Sequence, residues 1–336
     1  MSNNMVFTDD LNPVWNQSSQ SLSLRLIQQA YPSRQSLATS ITKAASKQTF
    51  YTIRFLADQD RVDDAYRAYA YFRWVDDRLD QKLSGQAERV SFLQRQQTLI
   101  DRCYRDDWPH RLRPEERLLV ELIQTDPEAE SGLGAYIRHM MAVMTFDAER
   151  RGKLISAQEL HDYSLHLSAA VTEALHYFIG HDDPTPQTEA RYLAVMGAHV
   201  THMLRDTIED IAAGYYNIPR EFLESHGIDP HDVDSDAHRE WVKSRVQLAR
   251  DYFKSGADYL SQVKNRRCRI AGYAYMARFT GVLDAIECEG YRLRAEYPER
   301  KRPRAMLGMG WFALTSALGF TSGGHFAATQ HGGSAS

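Results

Sequence analysis

Between Ser33 and Ser131 the chain contains one glycine, Gly85, and its prolines there are confined to Pro109, Pro114 and Pro127. Backbone breakers this sparse leave long uninterrupted helices as the natural conformation, and the breakers mark their ends. The pattern predicts helices over about 34–46, 60–82, 86–106, 114–124, 132–150, 156–180, 187–214, 235–263, 267–291 and 304–319. Pro184, Pro186, Pro219, Pro230, Pro298 and Pro303 all fall between these segments or at their edges. No stretch alternates apolar and polar residues with period two, so no sheet is expected. The 336 residues, 43% of them apolar, suffice for one sizeable core. A single all-α domain over residues 20–322 follows, with loose ends at 1–19 and 323–336.

A net charge of −4 gives no electrostatic basis for nucleic-acid binding. Cys103, Cys268 and Cys288 lie far apart without paired spacing, which fits a reducing compartment and neither a disulfide framework nor a zinc site. The opening MSNNMVFTDDLNPVWNQSSQ lacks the basic-then-apolar order of a signal peptide, so a cytoplasmic location is expected. Near the other end, RKRPR (300–304) precedes the 16-residue apolar run AMLGMGWFALTSALGF (305–320). That run is shorter than the roughly 20 residues that span a bilayer, and it reads as a terminal helix on the body, with peripheral membrane contact as the alternative.

Charge is concentrated in two places where it should repel itself. In YFRWVDDRLD (71–80), Tyr69, Arg73, Asp76 and Asp80 fall within an arc of about 60° on a helix. Asp76 and Asp80 are then an i,i+4 like-charge pair, worth roughly 2–3 kcal/mol of repulsion when half-buried. Far downstream, in HVTHMLRDTIEDIAAG (199–214), His199, His202, Asp206 and Asp210 occupy an arc of about 80°. Arg73 and Arg205 adjoin the two stripes, and arginine neutralisation on solvated faces would account for either one alone. For the two together the stronger explanation is a divalent cation, which takes carboxylate oxygens and bridges them to a phosphate.

With SKQTFY (46–51) placed ahead of AYAYFRWVDDRLD (68–80), and LRDTIEDIAAGYYNIP (204–219) after them, the chain resembles the squalene/phytoene synthase family, the head-to-head trans-isoprenyl diphosphate synthases. The resemblance runs from about Ser46 to Glu289. A weaker part of it covers Asp147, Arg151, Tyr163 and SAAVT (168–172), where the family has a kinked helix. It implies an isoprenoid-synthase helical bundle around a central apolar cavity. It also implies Mg²⁺, or Mn²⁺ in its place, held by Asp76, Asp80, Asp206 and Asp210 with Asp77 beside them. Diphosphate oxygens would be bound by Thr49, Tyr69 and Arg73, with Lys47, Arg205 and Arg294 near them. The implied reaction joins two farnesyl or geranylgeranyl diphosphates through a cyclopropyl diphosphate to a linear hydrocarbon. Proton loss ends it in the phytoene type, and hydride from NADPH in the squalene type.

The chain departs from the family mainly around its second motif. His199 and His202 stand where glutamine and asparagine are usual, Tyr215 and Asn217 where arginine and tyrosine are usual, Lys47 where a serine is, and Phe279 where a tyrosine is common. Imidazole is a poor ligand for Mg²⁺, so His202 is a doubtful replacement for an asparagine that ligates metal. Buried core histidines are the plainer reading of both. Thr49 reads equally as a helix cap ahead of FYTIRFL, and Asp147 with Arg151 as an exposed i,i+4 pair. Three other functions stay open: a class I terpene cyclase ionising one prenyl diphosphate, a non-catalytic homologue serving as an assembly partner, and a transition-metal bundle site.

Overall fold

The computed structural model describes residues 34–81, 85–180 and 188–297, and every regular element among them is helical. The expected first helix is α1 (Arg34–Ala45), and a further helix that the pattern did not predict, α2 (Lys47–Leu56), follows it directly. They are separated because Ser46 adopts an extended conformation (φ −152°, ψ 107°) and its hydroxyl accepts the Thr49 N–H at 3.1 Å. Ser46 is therefore the N-cap, and Thr49 sits one turn inside the helix. A 3₁₀ turn (Gln59–Arg61) leads into α3 (Val62–Gln81), followed by α4 (Gln86–Cys103), α5 (Pro114–Thr125), α6 (Gly132–Arg150) and α7 (Ala157–Ile179). Then come α8 (Ala190–Ala213), the short α9 (Arg220–His226), α10 (Asp236–Gln262) and α11 (Arg266–Cys288).

Most boundaries follow from local chemistry already visible in the sequence. Ser131, Ser156, Ser235 and Asn265 each cap a helix with a side-chain oxygen, and Pro114 opens α5, where a missing N–H costs nothing. Gly214 ends α8 in the left-handed region (φ 85°), which a side chain would resist, and turns the chain back beneath the helix. The run SAAVT is helical throughout within α7. The terminal helix expected at 304–319 and the ends 1–19 and 323–336 lie outside the described residues. Within those residues no helix is long and apolar enough to cross a membrane.

Helix α8 packs on α7, α10 and α11, while α3 packs on α1, α5 and α6, and α6 joins α7. At α10 the approach is close enough that a Cβ on Gly256 would stand 2.6 Å from the Ala194 nitrogen. Helix α3 is fixed from its other side by a buried polar chain. The Tyr71 hydroxyl donates to Gln96 Oε1 (3.2 Å), and Gln96 Nε2 donates to the fully buried Glu116, which also accepts two bonds from Arg95. A half-satisfied group there would be costly, so the network sets the rotation of α3 against α4 and α5. That rotation decides which way Asp76 and Asp80 point.

Candidate active site

The two acidic stripes line one cleft. Asp76, Leu79 and Asp80 come from α3, Met144, Asp147 and Arg150 from α6, Tyr163 from α7, and His199, His202, Met203, Asp206 and Asp210 from α8. The space they enclose, open to solvent, is about 760 Å³. Most of the lining is polar or charged, and Leu79, Met144, Ala148 and Met203 are its apolar part.

The carboxyls divide into two electrostatic groups. Burial, then repulsion from Asp80, pushes Asp76 up to about 7 against the pull of Arg73. Burial and Asp147 likewise raise Asp80. Asp210 is pushed up to about 7 by burial and then by Asp206, with Arg150 opposing. In all three, burial first and neighbouring carboxylates second outweigh the nearby arginines and disfavour the charged form. Asp206 is the opposite case. Burial would raise it, but hydrogen bonds from Arg205 (2.5 and 2.7 Å) and His202 (2.8 Å) win and hold it well below the usual carboxylate range. Asp77 is likewise engaged, accepting from Arg73 at 2.6 Å.

Along α3 the aromatic and basic members of the predicted site are assembled. Arg73 is nearly buried and reaches Asp76 at 3.4 Å as well as Asp77. The Tyr69 hydroxyl is raised by burial, with Arg73 and a hydrogen bond to Thr49 pulling the other way, so Thr49, Tyr69 and Arg73 form a continuous strip. Lys47 is exposed at the first residue of α2. Arg294 pairs with Glu289 and lies over the Tyr297 ring (5.8 Å to the centroid); like Lys47, Thr49, Tyr69, Arg73, Asp77 and Arg205, it is not among the residues that line the cleft.

Among the polar lining residues Arg89 and Arg150 were not foreseen, and Asp147 has a different partner from the one expected. Asp147 is bound by Arg150 (2.7 Å), three residues on, in place of the i,i+4 partner Arg151, whose Nε donates to the Ala213 carbonyl. Arg150 is buried, stacks on Tyr163 (4.7 Å) and Tyr215 (5.0 Å), and donates to Asn217 Oδ1 (2.8 Å). Asn217 Nδ2 in turn donates to Asp210 (2.8 Å), so the residue that departs from the family pattern connects α6 to the second stripe. Arg89 enters from α4. Nothing local in the sequence distinguishes Arg89 or Arg150 from surface arginines. The turn at Gly214 was the available signal for Asn217. His199 is buried with neither ring nitrogen hydrogen-bonded, its ring lying edge-on to Tyr163 (5.1 Å between centroids).

The donors that converge on the cleft are hard carboxylate oxygens, and three of them lack full compensation, which fits an oxygen-preferring divalent cation such as Mg²⁺. Among the described residues no cluster of three acidic, histidine or cysteine side chains is closed tightly enough to hold an ion by itself. A ligand that supplies further oxygens would complete the coordination.

These features define an all-helical protein with a carboxylate-rich cleft that is apolar in part. The chain belongs to the squalene/phytoene synthase family, whose profile matches residues 42–306. It is 32% identical over 124 residues to a 15-cis-phytoene synthase of Synechocystis sp., a match spanning 35% of this chain and 36% of that protein. Its fold is similar to that of squalene synthase HpnC from Alicyclobacillus acidocaldarius, with a TM-score of 0.62 and 19% identity over 78% of this chain and 95% of that one. It is similar too to a dehydrosqualene synthase solved with a ligand, with a TM-score of 0.66 and 15% identity over 88% of this chain and 99% of that one.

Proposed function

We propose that the cleft takes two prenyl diphosphates, of farnesyl or geranylgeranyl length, and joins them head to head through a cyclopropyl diphosphate to a linear hydrocarbon. The observation that supports this most is the convergence of Asp76, Asp80 and Asp210, from distant parts of the chain, on one partly apolar cleft with their charge under-compensated.

In this reading Asp76, Asp80 and Asp210 are the residues that would hold Mg²⁺, whose charge when bound would offset that of a leaving diphosphate. Asp77 and Asp206, each already held by an arginine, orient Arg73 and Arg205 toward phosphate oxygens. Tyr69 and Thr49 donate from the same strip, and Lys47 offers a mobile charge at the rim. Leu79, Met144, Ala148 and Met203 keep water from the allylic carbons, where a carbocation would otherwise be captured.

Incubating the purified chain with Mg²⁺ and each diphosphate, then analysing the organic extract, tests the reading. A hydrocarbon of doubled carbon number is expected. A cyclic product of unchanged carbon number would replace it with a terpene cyclase, and absence of turnover would leave a non-catalytic homologue.

A further inference from the structure

We propose that His199 is the base that ends the reaction, taking the last proton from the coupled carbocation, so that this chain makes its product without a reductant. The inference rests on the prenyltransferase reading above and specifies its final step.

Its starting point is an unexplained polar group. A buried imidazole with two unmet nitrogens is disfavoured in a folded protein unless something uses it. His199 is only 4% exposed and is one of the residues lining the cleft, so its ring forms part of the wall beside the reaction space, with both nitrogens shielded from solvent. The second imidazole there is committed, since His202 Nε2 lies 2.8 Å from Asp206. The nearby Tyr163 hydroxyl is committed as well, donating to Asp147 at 3.1 Å.

Depth separates His199 from the carboxylates. It precedes Asp206 by two turns of α8, roughly 10 Å along the axis, and its burial exceeds that of the Asp206 side chain, which is 21% exposed. A diphosphate at the rim would therefore leave its carbon chain, and not its phosphorus atoms, beside this ring. Burial, together with His202 and Arg150, keeps the imidazole neutral by lowering it to about 3. Low basicity is no obstacle, because a carbocation is a far stronger acid than imidazolium. What the step needs is a lone pair that is unprotonated and shielded from water.

The step balances without a co-reactant. A C–H bond adjacent to the cationic carbon breaks, its electron pair closes a C=C bond, and the proton binds an imidazole nitrogen of His199. The imidazolium loses it to water once the product leaves. Nothing is oxidised or reduced.

The test uses His199→Gln, which keeps a polar side chain without a basic nitrogen, and His199→Phe, which keeps the ring volume. Diphosphate release and product composition are measured for the full chain with Mg²⁺ and the prenyl diphosphate that wild type converts, with and without NADPH. Wild type is expected to form an olefin independent of NADPH. Both variants are expected to keep diphosphate release within about threefold, while the olefin falls by roughly 100-fold or more and cyclopropyl diphosphate or water-captured alcohols accumulate. An undiminished olefin in either variant, a wild-type product that requires NADPH, or proportional loss of both readouts in variants that melt like wild type would each overturn the assignment. Wild type releasing no diphosphate would instead overturn the underlying prenyltransferase reading, so the two failures are distinguishable.

Discussion

Asp76 and Asp206 occupy equivalent places on the two stripes, yet their energetics are opposite. Asp76 is held in the cleft against burial and repulsion, whereas Asp206 neutralises the buried Arg205. Asp76→Asn should therefore make the metal-free protein more stable at about pH 8, on the order of 1 kcal/mol after screening. Asp206→Ala should cost about 3 kcal/mol, because it strands a buried guanidinium. Chemical denaturation of both variants reads the contrast, and equal signs would contradict it. The stripes themselves were legible in the sequence because helical periodicity fixes which residues share a face. The engagement of Asp206 by Arg205 was not, because two neighbours along a helix meet only if their rotamers turn together.

At the level of elements, the long helices were legible because glycines, prolines and serine caps punctuate them. The helix Lys47–Leu56 was not among those expected; its cap, read from the sequence as Thr49 ahead of FYTIRFL, is Ser46, whose hydroxyl accepts the Thr49 N–H. The seven-residue α9 is too short to show a period. What positions the second stripe is the seating of α8 on α10, where the backbone nitrogen of Ala194 occupies the space a side chain at Gly256 would need. Gly256→Ala should push the helices apart and cost about 1–3 kcal/mol. A thermal melt unchanged from wild type would show that the contact does not constrain α8.

Across the whole molecule, the raised carboxyls make stability depend on pH in a definite sense. Asp76 and Asp210, raised from 3.8 to about 7, cost nothing below the unfolded value, where both states are protonated. As pH rises from there toward 7, the folded state retains protons that the unfolded state releases, so stability is lost through that window. Asp206, depressed when folded, contributes stability present above the unfolded value and lost as pH falls through its folded one. Denaturation midpoints of the metal-free protein should thus carry a downward slope between about pH 4 and pH 7 that the Asp76→Asn/Asp210→Asn double variant flattens. Mg²⁺ with inorganic diphosphate should stabilise wild type more at the higher pH, and a gain independent of pH would count against cation binding by these groups. Joint action of the two stripes is tested most directly by a double-mutant cycle on Mg²⁺-dependent diphosphate release from a prenyl diphosphate. Asp76→Asn and Asp210→Asn are each expected to lower the rate by roughly 100-fold or more, with the double variant little worse than either single one. Losses that multiply, or release that survives both substitutions, would contradict a shared clamp across the cleft.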